Sequence, residues 1–264
     1  MNLLVLSIVG GSLALAEAPE PASKSADPQS QLAKIKEESQ KAMSAAMKAV
    51  AAGGSETEME KIKKDVSATL AGLHRRALEL AAKNPSDPVA FQALVWVVEH
   101  RGPDGMSPEM AQAIAILARE HATSDQIGQL CWNLDTLDSA ETEHLLLRVS
   151  DVNPSKDIRA RALHSLGILL HHRADACHEA DPKRAEGCLA ESQNVLRLVA
   201  ADYGDVKVGS RAMRERVADA LDEIRLLSIG KSAPEIEGED GDGKKFRLSD
   251  YKGKVVVLDF WAGW

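Results

Sequence analysis

The sequence predicts a mainly α-helical chain that ends in a short α/β segment. Aromatic residues make up only 3% of the chain, and much of its 44% hydrophobic content is alanine, which suits closely packed helices better than a β-sandwich. Apolar residues recur at helical spacing from residue 31 to residue 228. Beyond Ser228, this period gives way to short alternating runs separated by glycine-containing turns, which indicates a second kind of structure.

Length and charge limit the classes of function. With 264 residues, the chain is long enough for two domains and apolar enough to bury a core. Its 32 Lys and Arg residues against 40 Asp and Glu residues give a net charge of −8, so we expect no nucleic-acid partner. Three cysteines are too few for a small domain built on disulfides, and no C-x-x-C pair of the zinc-binding type occurs.

The N-terminus has the features of an export signal. Residues 1–18 carry no charged side chain before Glu17, and a short apolar run ends in small residues that fit the pattern read by signal peptidase. We predict a signal peptide over residues 1–18, a linker over residues 19–30, and a periplasmic or extracellular protein. Two glycines and a serine interrupt the apolar run, so no stable membrane span is expected. An uncleaved anchor and a misassigned start codon remain alternatives, because the first residues include no positive side chain.

A helical domain is predicted over residues 31–228. Its first helix carries apolar residues at one-turn spacing, and Gly53-Gly54 separates it from a second helix of about six turns. Ser55 and Glu58 form the sequence pattern of a capping box at the start of that second helix. Further helix starts are expected where small polar residues precede apolar periodic runs, namely at Asp87, Ser107, Ser124, Ser139 and Ser155.

Two architectures are compatible with this series of helices. The sequence from Asn84 to Asp87 recurs in outline from Asn153 to Asp157, and a similar helix follows each copy. This recurrence is typical of an α-solenoid resembling tetratricopeptide or HEAT-like arrays. An irregular helical bundle is an equal alternative, because the sequence has no clean period of 34 residues and no full consensus signature.

One group of residues in the helical domain has the composition of a metal site: His171, His172, Cys177, His178 and Cys188. On a helix, however, His171 and His172 point about 100° apart, and Cys177 follows His172 by five residues instead of the four used by zinc-binding helices. We therefore expect no metal site in this region.

A disulfide is expected between Cys177 and Cys188. The two predicted helices that carry them are joined by a turn at Asp181-Pro182, and the cysteines are nearly equidistant from it. In an exported protein, such an arrangement favours a disulfide across two antiparallel helices. Cys131 lies in an apolar run and is expected to be buried.

The last 36 residues predict a strand-rich segment. A proline and the alternation around Ile236 predict an edge strand, and residues 240–243 predict a turn into a second strand over residues 244–248. A short helical turn is expected over residues 249–253. The apolar run over residues 254–260 then predicts a buried strand.

The order of these motifs carries a resemblance to a known family. The motifs are Gly230-Lys231-x-Ala233-Pro234, Asp242-Gly243-Lys244, and the run from Leu248 to Trp264 that ends in F-W-A-x-W. Together they closely resemble the TlpA-like redoxins of the thioredoxin-fold group, which includes the alkyl hydroperoxide reductase and thiol-specific antioxidant proteins. The predicted fold class is therefore mainly α, with an irregular helical bundle or α-solenoid followed by the first strands of a truncated thioredoxin-like α/β domain over residues 229–264.

The resemblance also implies where the chemistry of such a protein occurs. In that family, F-W-A-x-W is followed at once by C-x-x-C, and a helix N-terminus lowers the pKa of the attacking thiol. No catalytic residue is therefore expected within this chain. The resemblance implies protein thiols or disulfides, or a redox partner, as substrates, and it implies no cofactor. The residues expected to flank the active site are Trp261, Ala262, Gly263 and Trp264.

We predict an exported thiol–disulfide oxidoreductase of the redoxin type, cut off before its catalytic cysteines and inactive as this chain, with a helical domain that docks a protein partner. One alternative is a helical interaction scaffold with an accessory or decayed redoxin domain. Another is a peroxiredoxin-type peroxidase, which the W-A-x-W motif disfavours. A selenocysteine codon read as a stop, a break in the sequence and a nonsense codon are alternative explanations for an end at Trp264.

Overall fold

The computed structural model describes residues 27–85, 87–103 and 105–260, so the predicted signal peptide and most of the predicted linker lie outside it. The α-helices in the described part are α1 Pro28–Ala51, α2 Glu56–Lys83, α3 Pro88–Glu99, α4 Pro108–Glu120, α5 Ile127–Trp132, α6 Ala140–Val152, α7 Lys156–Cys177, α8 Pro182–Tyr203 and α9 Met213–Leu227. Two antiparallel hairpins pair β1 Lys207–Val208 with β2 Arg211–Ala212, and β3 Glu237–Glu239 with β4 Lys245–Arg247. A 3-10 helix, Leu248–Tyr251, follows β4.

Most helices begin where the sequence predicts. The side chains of four predicted capping residues accept a backbone N–H from the first turn of α3, α4, α6 and α7; these residues are Asp87, Ser107, Ser139 and Ser155. At the start of α2, the Ser55 hydroxyl accepts the N–H of Glu58, and the Glu58 carboxylate accepts the N–H of Ser55. These bonds satisfy N–H groups that have no partner within a helix.

Two helix starts differ from the prediction. The Ser124 hydroxyl accepts the N–H of Gln126, but α5 begins without a side-chain cap. Helix α1 begins at Pro28, inside the segment predicted as linker. The earlier start has a local cause, because the Asp27 carboxylate accepts the N–H of Ser30 and proline is well tolerated in the first helical turn.

The helices pack largely on their neighbours in the chain and enclose two hydrophobic cores. The larger core extends from α1 to α7 and includes Leu94, Ile114 and Leu169, while the smaller one lies among α7, α8 and α9 and includes Leu196 and Val217. The prediction of a mainly α chain is confirmed, and the helical repeat stays a prediction. In the described part of the chain, no helix is both long and apolar enough to cross a membrane.

Helices α7 and α8 pack closely at Gly167. A Cβ atom at this position would lie 2.7 Å from the Cγ of Leu196, well inside van der Waals contact. The Ser192 hydroxyl donates a hydrogen bond of 2.7 Å to the carbonyl of Gly167, so it has a partner although it is fully buried. The missing side chain thus lets the two helices approach closely and sets their register.

His164 on α7 is buried, and neither ring nitrogen has a hydrogen-bond partner among the described residues. Its ring stands edge-on to Trp132 with the ring centres 5.0 Å apart, and the Arg216 guanidinium lies 5.3 Å over the Trp132 ring. Burial, and to a lesser extent the positive charge of Arg216, lowers the pKa of His164 to about 4. His164 is therefore neutral at physiological pH.

We expect Gly167→Ala to lower the free energy of unfolding by about 1–3 kcal/mol, because the added methyl group collides with Leu196 in a closely packed interface. Gly187→Ala in α8 is the matched control. No atom lies within 4 Å of a Cβ at position 187, so this change should leave stability unchanged or raise it by up to about 1 kcal/mol. Urea denaturation measures both variants, and equal stabilities would contradict the packing role of Gly167.

We expect His164→Leu to weaken the dependence of stability on pH. Between its ordinary pKa of 6.5 and its folded pKa of about 4, His164 binds a proton only in the unfolded chain. Stability therefore falls as pH falls through this window, by about 3 kcal/mol in total. Urea denaturation at several pH values measures the change, and His144→Leu, at an exposed position on α6, is the control. If the stability of His164→Leu depends on pH as strongly as that of the unchanged chain, the assigned role of His164 is wrong.

Candidate functional site

The residues predicted to flank the active site lie outside the described part of the chain; these are Trp261, Ala262, Gly263 and Trp264. The structure does describe the segment that leads to them, from the end of α9 to Phe260. This segment consists of the β3–β4 hairpin, the 3-10 helix and residues 255–260. Its geometry shows how the chain approaches the predicted site.

The β3–β4 hairpin confirms the two strands predicted around the glycine-rich turn. Gly238 and Phe246 are directly opposite each other in the antiparallel register, and the Leu248 N–H donates to the carbonyl of Ile236 at 2.9 Å. The Phe246 ring lies over Gly238, where an added Cβ atom would be only 3.0 Å from the Cζ of that ring. Glycine at position 238 therefore lets the ring pack against the strand backbone.

The turn between the two strands is held by Asp240. Its carboxylate accepts the N–H groups of Asp242 at 3.0 Å and Lys244 at 2.9 Å. Gly243 has a φ of 79°, in the left-handed region that favours glycine. The Asp-Gly-Asp-Gly sequence thus supplies both the side-chain acceptor and the backbone conformation of this turn.

Two carboxylates anchor the 3-10 helix that follows β4. Glu235 accepts the N–H of Ser249 at 3.0 Å, and Asp250 accepts the N–H of Arg247 at 2.9 Å. Hydrogen bonds from the Ser249 hydroxyl and backbone N–H lower the pKa of Glu235, so its carboxylate stays charged at neutral pH. The Glu235 bond ties the residues before β3 to the residues after β4, and the Asp250 bond is local to the junction of β4 and the 3-10 helix.

The buried strand predicted over residues 254–260 is not present in the structure. Val255, Val257 and Phe260 are 98%, 88% and 84% exposed, and residues 255–260 have no regular secondary structure. A buried strand needs a neighbouring strand for its backbone groups and an apolar layer for its side chains. The described residues supply neither, so the prediction of a buried strand is wrong for this structure.

All three cysteines carry free thiols. Cys131 is buried in α5, as predicted, and burial raises the pKa of its thiol to about 12, which keeps it protonated. The Cys177 thiol donates to the carbonyl of Ala174 at 3.6 Å, and Cys188 lies half-buried on α8. None of the three belongs to the C-terminal segment, so none takes the position of the family's dithiol.

The predicted disulfide between Cys177 and Cys188 is not formed in the structure. Cys177 is the last residue of α7, whereas Cys188 is the seventh residue of α8, so the two cysteines are not equidistant from the turn. Cys188 therefore lies farther from the turn than Cys177 does, and the contacts of Gly167 with α8 give the same register. The disulfide stays a prediction.

The histidines considered for a metal site contact different parts of the chain. His171 Nε2 lies 3.1 Å from the hydroxyl of Ser228, and His172 Nδ1 donates to a backbone carbonyl in the α5–α6 loop at 3.0 Å. The His178 ring lies beside Gly230. Within the described ranges, no three His, Cys, Asp or Glu side chains are grouped so that they could hold a metal ion.

The sequence did not reveal the contact that anchors the start of the C-terminal segment. Ser228, directly after α9, is buried; its hydroxyl donates to the carbonyl of Ile224 at 2.7 Å and accepts from His171 Nε2. The Asp175 carboxylate lies 3.4 Å from the same nitrogen. A nucleophilic triad needs the serine and the carboxylate on opposite ring nitrogens, so this group is structural. This contact could not be predicted from the sequence, because His171 and Ser228 are 57 residues apart and a serine at a helix end has no distinctive pattern.

Comparison with known proteins gives matches to the C-terminal segment. The model of the AhpC/TSA family matches residues 229–264. Thiol-disulfide oxidoreductase ResA of Bacillus subtilis (strain 168) is 50% identical over 38 residues, which cover 14% of this chain and 21% of the relative. Thiol-disulfide oxidoreductase ResA of Geobacillus thermodenitrificans (strain NG80-2) is 38% identical over 47 residues, covering 18% and 27%. The chain spans about a fifth of the length of the first curated relatives. No solved structure matches.

We expect the backbone amides of residues 255–260 to exchange with solvent at close to the unprotected rate. In the described structure, none of these amides donates a hydrogen bond, whereas the amides of α7 lie in a buried helix. Hydrogen exchange measured by mass spectrometry compares peptides from the two regions, with α7 as the internal reference. Equal protection of both regions in a monomeric sample would contradict the unpaired arrangement.

Proposed function

Because residues 229–264 are a partial redoxin segment of the thioredoxin fold, we propose that the chain is part of an exported thiol–disulfide oxidoreductase. The observation that supports this activity is the 50% identity of the segment to proteins named thiol-disulfide oxidoreductase. The same names favour the oxidoreductase over a peroxidase. The proposed organisation is a signal peptide over residues 1–18, a linker over 19–30, a helical domain over 31–228 and the redoxin segment.

The proposed reaction is thiol–disulfide exchange with a protein substrate. A thiolate attacks one sulfur of the substrate disulfide, a mixed disulfide forms, and the other substrate sulfur leaves as a thiol. A second thiol then attacks the mixed disulfide, which releases the reduced substrate and leaves the enzyme dithiol oxidised. The resemblance assigns both enzyme thiols to the positions immediately after Trp264. Cys131 is unsuited to this role, because its buried thiol has a pKa of about 12.

The hairpin and the 3-10 helix have a positioning role in this proposal. The Glu235 bond holds the two ends of the hairpin together, and the Asp250 bond fixes the junction between β4 and the 3-10 helix that leads to residues 255–260. The backbone N–H and C=O groups of residues 255–260 make no hydrogen bond with other described residues, so they are available for strand pairing. We assign residues 255–260 as the strand that carries the active-site loop once a redoxin sheet surrounds it.

Export and partner docking complete the proposal. Disulfide substrates persist in oxidising compartments, which agrees with a signal peptide over residues 1–18 and a periplasmic or extracellular location. The helical domain would then bring a protein partner to the redoxin segment. In the described residues, His171, His172 and Cys177 of the helical region make structural contacts, so the exchange reaction is assigned to the redoxin segment alone.

The proposal is tested by insulin reduction with the chain and with a chimera. We expect no turnover from the 264-residue chain, because the resemblance places the nucleophile after Trp264. Joining residues 1–264 to the part of Bacillus subtilis ResA that follows its matched segment supplies the family's C-x-x-C motif, and this chimera should reduce insulin. The matched control replaces both cysteines of that motif by serine and should abolish turnover.

Two outcomes would contradict the proposal. A folded chimera without activity would mean that residues 229–264 do not serve as the start of a redoxin domain. Turnover by the 264-residue chain that survives replacement of all three cysteines by alanine would mean that the mechanism assigned here is wrong. Circular dichroism and gel filtration of each protein show that it is folded.

A further inference from the structure

Helices α1 and α2 continue past the buried core as a pair that we call the arm, defined as residues 40–51 of α1 and residues 56–69 of α2. Ser39 is the last buried residue of α1, and Leu70 is the first buried residue of α2. No described residue within the arm is fully buried. The arm is therefore an antiparallel helix pair that is only partly covered, since α3 reaches Met43 and the loop between α3 and α4 reaches Ser67.

One side of the arm carries an exposed apolar stripe on α1. Met43, Met47 and Val50 follow the i, i+4, i+7 spacing of one helix face, and they are 37%, 70% and 46% exposed. Toward the core, the same side of α1 lines a groove of about 550 Å³, whose lining includes Met43 and, from α3, Phe91 and Trp96. Helix α3 thus covers the near end of this face and leaves the far end uncovered.

The charged residues of α1 within the arm are placed away from this stripe. At 100° per residue, the two charged residues of α1 in the arm, Lys41 and Lys48, lie about 140–160° from Met43. The whole arm contains five lysines and four acidic residues, although the chain as a whole has a net charge of −8. A second copy of the arm is therefore not repelled by like charge, whereas a strongly charged partner finds no complementary field.

We propose that the arm is a self-association surface through which two copies of this chain pair as a four-helix bundle. A two-fold axis beside the stripe would pack Met43, Met47 and Val50 of one copy against the same residues of the other, as an isologous interface requires. The two helices of the arm are about 18–21 Å long, which is three to four turns and sufficient for such a bundle. The methionines supply flexible apolar side chains that fill gaps in the contact.

Sedimentation velocity of the full chain across micromolar concentrations tests this proposal. We expect a concentration-dependent dimer for the unchanged chain. Met47→Glu should weaken the dimer by at least about tenfold, because it buries an unpaired carboxylate in the interface. Ala45→Glu is the matched control, since it adds the same charge to an exposed position on the opposite side of α1 and should leave the dimer intact. Circular dichroism confirms that both variants are helical.

Three results would overturn the proposal. The first is an unchanged chain that stays monomeric over the whole concentration range. The second is a dimer that Met47→Glu and Ala45→Glu affect equally, which would assign the contact to another surface such as residues 255–260. The third is a different polypeptide that binds the unchanged chain and is lost with Met47→Glu, since the face would then belong to that partner.

Discussion

The close approach of α7 and α8 at Gly167 determines how the helical region is joined to the C-terminal segment. Helix α7 contributes to both hydrophobic cores, because Ala162 packs in the larger one and Ala160 in the smaller one. A shift of α7 against α8 would therefore disturb both cores at once. It would also move His171, the residue of α7 that holds Ser228 at the end of α9. The start of the redoxin segment thus depends on α7 through a contact between residues 57 positions apart.

Two buried histidines on α7 show two ways of keeping a polar ring in an interior. His164 and His171 are seven residues apart, so they lie on the same side of the helix. His164 lies near Arg216 of α9, and His171 contacts Ser228, which directly follows α9. His171 is stabilised by its hydrogen bond to Ser228. His164 has no such bond and is tolerated because it is neutral, with Arg216 nearby opposing its protonation. The packing of α7 against α9 is therefore sensitive to acid at one end and held by a polar bond at the other.

The features that could be predicted from the sequence are those that depend on neighbouring residues. The capping box of Ser55 and Glu58 and the turn at Asp240 each arise within four residues, and the structure contains both. The contact of His171 with Ser228 was not predicted, because it depends on the packing of two distant helices. The disulfide prediction took Cys177 and Cys188 as nearly equidistant from the turn, whereas Cys177 is the last residue of α7 and Cys188 is the seventh residue of α8. Trp261 and Trp264 were identified through family resemblance, and they lie outside the described residues.

The state of residues 255–260 has an energetic consequence for the redoxin segment. Burying a large apolar side chain contributes about 1.5–3 kcal/mol, so covering Val255, Val257 and Phe260 would contribute several kcal/mol in total. The hairpin before them offers little area for this purpose, because its strands are three residues long and no residue of either strand is buried. The segment therefore depends for its stability on a sheet that pairs with residues 255–260. The helical region has its own cores and does not share this dependence.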